Sequence, residues 1–126
     1  MTDRSIMIKL ADSEYELILT TRAMKAILTK YKSLEHLGEI FAAAEKKGID
    51  TVLDDFIWLV VLLANQSIML HNLKAKTSKD EIKLLTEEYF ELITSPVDFI
   101  ECAGKIGLAI NLGMNRTIES EETEKN

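Results

Sequence analysis

"IMIKLADSEYELILTTRAMKAI", residues 6–27, decides how the chain begins. Ile6, Ile8 and Leu10 alternate with Met7 and Lys9, and Tyr15, Leu17 and Leu19 alternate with Glu16 and Ile18. A period of two marks a strand with one covered face, so two strands are expected, at about residues 6–10 and 15–19. "ADSE" between them suits a four-residue turn, because Asp12 and Ser13 bond readily to nearby backbone. Ile18 interrupts the polar face and predicts that this face is partly covered as well. Either Thr20 or Thr21 can cap a helix, and from there the period changes. Met24, Ile27, Leu28 and Tyr31 stand at i, i+3, i+4 and i+7, one stripe of a helix. A lone hairpin is marginal in water. It must lean on the helices or pair with something outside the chain.

Everything downstream reads as helix. Ser33 can restart it, Leu34, Leu37, Phe41 and Ala44 carry its stripe, and Lys46 to Gly48 closes it with cations and a left-handed glycine cap. Thr51 with Asp54 fits a capping box, and "FIWLVVLLA", residues 56–64, is apolar nearly all round, as a central bundle helix is. Burying Phe56, Ile57, Leu59, Val60, Leu62 and Leu63 supplies on the order of 10–15 kcal/mol gross, most of it offset by chain entropy. "KAKTSKDE" is the clearest loop. Ser78 with Glu81 predicts a helix start there, with Ile82, Leu85, Tyr89, Leu92 and Ile93 following at helical spacing. Ser95, Pro96 and Asp98 mark the next start. The last helix is expected from Pro96 to about Leu112, with Phe99, Ala103, Ile106 and Ile110 as its stripe. Gly104 and Gly107 inside it suit close packing on a neighbouring helix or a smooth groove for another chain. Glu119 to Asn126 has four glutamates and no apolar residue, the composition of a disordered tail. The expected fold is mainly α, an N-terminal β-hairpin packed on a bundle of about four to five helices. Residues 1–118 form one domain and 119–126 an acidic tail.

With 126 residues and a net charge of −6, the chain lacks the basic excess that a phosphate backbone or an acidic membrane surface attracts. Its single cysteine, Cys102, rules out an internal disulfide framework. The start "MTDRS" has no apolar signal core, so the glycosylation triplets at Asn65 and Asn115 are read as chance. The nine-residue apolar run is flanked by Asp54, Asp55, Asn65 and Gln66, too short for a span of about 20 residues. A buried core helix is expected instead. His36 and His71 have no cysteine or carboxylate at metal-ligand spacing, and Cys102 has no histidine near it in sequence. Glu87, Glu88 and Glu91 read as a solvated acidic face. No phosphate loop or nucleophile elbow occurs. No catalytic, metal or cofactor residue is assigned, and the chain is expected not to be an enzyme.

The opening stretch, a short strand, a small polar turn, "EYEL" and an amphipathic helix, resembles the start of siphophage tail assembly chaperones. The middle stretch "LDDFIWLVVLLANQS" is similar to their central apolar helix, which often ends in a small or polar cluster. The resemblance covers most of Ile6 to Met114 as an arrangement of elements. It implies a non-enzymatic protein of the infected bacterial cytoplasm, not retained in the virion. Such a protein self-associates, coats the tape measure protein and helps recruit tail tube subunits. In many members a frameshifted longer form exists, and the polar tail after Ile118 is where such an extension would attach.

Two roles for the hairpin stay open at this point: a lid on the bundle, or a strand edge that accepts another copy or a client. The candidate interaction surface is Ile6, Ile8, Leu10, Tyr15, Leu17, Leu19, Gly104 and Gly107. The alternative function is a small phage or bacterial regulator or adaptor binding another protein or DNA, for which Arg22, Lys25, Lys30 and Lys32 make the first helix the most basic one. An enzyme using the acidic helix for a metal is the third reading.

Overall fold

The computed structural model describes residues 5–10, 13–48, 53–95, 97–98 and 105–110. The apolar alternation produces β1 (Ser5–Leu10) and β2 (Ser13–Ile18), an antiparallel pair and the only sheet among the described residues. Leu10 stands opposite Ser13, so two residues join the strands where four were expected. Main-chain pairing runs on past the apolar alternation, which marks only the covered part of a strand. Leu19 falls just after β2. Ile6 faces Leu17 and Ile8 faces Tyr15 across the pair, and this is the inner face: Ile8 and Leu17 are buried, Ile6 and Tyr15 half-buried against the core. Met7 and Lys9 point to the other, exposed side, while Ile18 at its end is buried, as its break in the polar face predicts.

Thr20 ends the hairpin and caps α1 (Thr21–Tyr31), its hydroxyl accepting the Ala23 N–H at 3.0 Å. The buried stripe of α1 is Ala23, Ile27 and Tyr31. Leu28, expected inside, is 40% exposed, because the small Ala23 rather than a larger side chain meets the core. Lys32 takes φ 74°, a left-handed position that breaks the helix. Ser33 then accepts the His36 N–H and starts α2 (Leu34–Lys47), which Gly48 closes at φ 102°. Leu37 is buried; the side chains of Phe41 and Ala44 lie outside the described set.

α3 (Leu53–Lys74) is the central element. Phe56, Ile57, Leu59, Val60 and Leu63 are buried in it, and Leu62 packs half-buried against the same cluster. By length and composition α3 is apolar enough to cross a membrane, and half of its most apolar window is enclosed by the rest of the chain. β2 lies along α3, so the hairpin rests on the bundle. The buried Gln66 ties that junction: its Oε1 accepts from the Thr20 hydroxyl at 2.5 Å and its Nε2 donates to the Leu62 carbonyl at 3.1 Å. A buried amide needs partners on both ends, and this one has them.

The stretch after α3 departs from expectation. Ser78 does not start a long helix. Residues Ser78–Asp80 form one 3₁₀ turn, 81–86 are without helix, and α4 (Glu87–Ile93) begins only at the Thr86 cap, whose hydroxyl accepts the Tyr89 N–H. Phe90 anchors α4 in the core. Ser95 donates its N–H and its hydroxyl to Asp98, at 2.8 and 3.2 Å, part of the capping box expected there. Pro96, Phe99 and Ala103 lie outside the described residues. α5 (105–110) buries Ile106, Ala109 and Ile110. Lys105 on it donates to the Met7 carbonyl at 3.2 Å, joining the last described helix to β1. Cys102 and the tail 119–126 lie outside the described residues.

Candidate functional site

The departure at 78–86 builds an open apolar surface among the described residues. Two asparagines of α3 hold this segment by its backbone. Asn72 accepts the Ile82 N–H at 2.8 Å and donates to the Ile82 carbonyl at 3.0 Å. Asn65 accepts the Leu85 N–H at 2.7 Å and donates to the Leu85 carbonyl at 2.9 Å. Each carboxamide therefore does what a neighbouring strand residue would do. The spacing fits. Seven helical residues rise about 10.5 Å and return almost to the same face, while three extended residues span about 9–10 Å. His71, on the same helix, bonds the Asp80 carbonyl through Nε2 at 2.9 Å; a carbonyl only accepts, so that nitrogen carries the proton. The engagement of Asn65 gives that residue a structural task.

Held this way, the segment forms one wall of an open groove of about 510 Å³. Tyr15 of β2, Ile68 of α3 and Tyr89 of α4 complete it with Ile82, Leu84 and Leu85. Its lining is mostly apolar. Ile82, Leu84 and Tyr89 are each about half exposed, and Leu92, one turn beyond Tyr89 on α4, is 80% exposed. Between the two asparagine-bound residues, the main chain of Lys83 and Leu84 has no hydrogen-bond partner among the described residues.

Charge is unevenly shared around this groove. Glu14 and Lys83 line it, and the segment 81–86 and α4 add Glu81, Glu87, Glu88 and Glu91, all exposed. α1, by contrast, carries Arg22, Lys25 and Lys30 and no acid. A shallower hollow lies there, lined by Lys25, Ala26, Thr29, Lys30 and Trp58. Lys30 Nζ sits 4.8 Å from the Trp58 ring centre, and Tyr31 meets Trp58 edge to face at 5.8 Å. The Tyr31 hydroxyl donates to Asp55 Oδ1 at 2.6 Å. Burial, with the Asp55 carboxylate beside it, holds the Tyr31 phenol well above its usual pKa. This cluster fixes α1 to α3; the buried phenol stays protonated and offers no open reaction space.

The expected interaction residues divide. Ile8, Leu17 and Leu19 are core, and Ile6 and Tyr15 pack half-buried against it. Their apolar side chains are engaged within the chain, as the lid role requires, and only Tyr15 also reaches the groove. Leu10 pairs with Ser13 through its backbone, and its side chain and Gly104 lie outside the described set. Gly107 is half-buried, and no described residue stands where its Cβ would be. The exposed residues that sequence reading turned inward are Ile82, Tyr89 and Leu92. Asn65 and Asn72, two turns apart at the polar end of an apolar helix, are the signal that precedes them in the sequence. Among the described residues, no three of His, Cys, Asp and Glu converge as metal ligands would.

Comparison with protein-family models, with curated proteins and with solved structures finds no match to this chain.

Proposed function

We propose that this chain is a non-enzymatic assembly chaperone of the siphophage tail kind, one that self-associates, coats the tape measure protein and helps recruit tail tube subunits in the infected bacterial cytoplasm. The element order supports the reading: a hairpin resting on helices, with a central helix whose apolar run gives way to "ANQS" midway and which continues to Lys74, is close to the arrangement on which the resemblance rests. The observation that carries it is the groove between β2, residues 81–86 and α4, where large apolar side chains stand open to solvent, with Glu14 in the lining and Glu81, Glu87, Glu88 and Glu91 exposed on the elements beside it. A coating protein needs both properties, an apolar surface for its client and excess charge to stay soluble. The test is co-expression with fragments of a tape measure protein, followed by sedimentation. A complex of many copies per fragment is expected; a strict monomer at high concentration that captures no fragment refutes the reading.

The basic, acid-free face of α1 favours a second reading, a small regulator or adaptor that contacts an acidic partner or DNA. Salt-dependent binding to duplex DNA, abolished by removing the charges of Arg22, Lys25 and Lys30, would establish it in place of the first.

A further inference from the structure

We infer that the groove between β2, residues 81–86 and α4 receives an extended segment of a partner chain in which apolar residues alternate with lysine or arginine. This deepens the assembly-chaperone reading and rests on it. Three features choose the occupant. The lining is apolar and open, so the segment must bring apolar side chains. Glu14 and Lys83 stand in the lining itself, and the segment 81–86 and α4 add the exposed Glu81, Glu87, Glu88 and Glu91, a net negative surround, so the flanking positions must be basic. A second copy presenting the same walls would bring like charge against like. The third feature is the main chain of Lys83 and Leu84, without a hydrogen-bond partner among the described residues and next to residues whose own main-chain groups are already taken by asparagines. An extended backbone laid beside it can exchange hydrogen bonds there, while alternate side chains enter the groove, which is strand addition in miniature.

The carboxylates also set how the segment arrives. They are exposed, so their attraction acts at long range and is screened by salt. Leu84 and Tyr89 then supply the contact that salt does not weaken. The two contributions are separable, which makes the proposal testable by peptides alone.

The probes are three fluorescent peptides of about a dozen residues with the same alternating leucines. One has lysine at the polar positions, one has glutamate, and one is the lysine peptide methylated on alternate backbone nitrogens. Binding is read by anisotropy on the full-length chain. The lysine peptide is expected to bind at least about tenfold tighter than the glutamate peptide, and to weaken as salt rises. Methylation is expected to cost about tenfold. Glu14→Gln with Glu91→Lys should reduce affinity at low salt, and Leu84→Ser with Tyr89→Ser at all salts, with the melting curve unchanged in both; Glu39→Lys on α2 should leave binding intact. Equal binding of the lysine and glutamate peptides, or of the methylated and unmethylated ones, overturns the proposal. So does failure of Leu84→Ser with Tyr89→Ser to weaken binding. If no peptide binds and that variant instead converts an oligomer to a monomer, a second copy occupies the groove and the inference falls. If no peptide binds yet the same variant still captures a tape measure fragment, the inference falls while the assembly-chaperone reading stands.

Discussion

Replacing Asn65 tests the bond between α3 and the segment beyond it. In Asn65→Ala the Leu85 N–H and carbonyl lose partners at 2.7 and 2.9 Å. Two net hydrogen bonds are worth about 2 kcal/mol together. Leu85 is only 7% exposed, so water replaces them poorly and the penalty for unpaired groups adds about 1 kcal/mol. The expected loss is about 2–3 kcal/mol, a melting temperature lower by about 8–12 °C. At Asn72 the geometry is the same, but Ile82 is 49% exposed and water takes over, so Asn72→Ala should cost about 1 kcal/mol or less. Asn65→Asp sharpens the argument. Its carboxylate can still accept the Leu85 N–H, but its second oxygen faces the Leu85 carbonyl and repels it. Protonation supplies the missing donor, so the gap to the unmodified chain should be wide at pH 7 and narrow near pH 4. Urea denaturation gives the free energies, and amide exchange at Leu85 reports the local release. Asn65→Ala within about 0.5 kcal/mol of the unmodified chain, with Leu85 exchange unchanged, would refute the paired-carboxamide account.

Tyr31→Phe removes a hydroxyl bonded to Asp55 at 2.6 Å and should cost about 1.5–3 kcal/mol near neutral pH. Because the folded phenol titrates above its unfolded value, its contribution is whole below pH 10 and falls as pH rises further, by about 1.4 kcal/mol per unit, as the unfolded chain releases its proton first. Denaturation curves from pH 9 to 11 should show a shallower decline in Tyr31→Phe; parallel curves would count against the phenol's burial. Thr20→Val deletes the α1 cap and strands Gln66 Oε1, for a loss of about 2–3 kcal/mol by urea denaturation. The double variant with Gln66→Leu should recover part of it, and strict additivity would argue against the coupling. Phe90→Ala empties a fully buried site at the root of a seven-residue helix. It should cost about 3–5 kcal/mol and unprotect the α4 amides in exchange experiments before those of α3.

Much of the architecture was readable from local rules. The change from period two to a helical period at Thr20, the restart at Ser33, the glycine at 48 and the apolar run beginning at Phe56 each follow from backbone chemistry within a few residues, and the structure has an element boundary or core helix at each. The strand limits shifted because Ser13 and Glu14 pair through main chain that no side-chain pattern records. The α1 stripe turned toward Ala23 because burial rewards fit as well as size. Residues 81–86 defeated local reading outright. Ser78 and Glu81 satisfy a helix-start rule, but Asn65 and Asn72 offer the same backbone a better set of partners from another element. That competition exists only after the chain has folded back. With the helix assumed, Ile82, Tyr89 and Leu92 turn inward; without it they open, and the groove is found in place of the hairpin face.

The link between Lys105 and the Met7 carbonyl closes a span of 98 residues. A chain grows on the ribosome at about 5–20 residues per second, whereas a hairpin closes in about 1–10 microseconds. The first two strands must therefore wait some seconds after emerging before the helix that abuts them is even synthesised. By then α3 has already emerged to cover the ribbon's apolar underside, so the clasp from the last described helix is added late, to a face already closed, and its timing is a matter of translation speed as much as of final geometry.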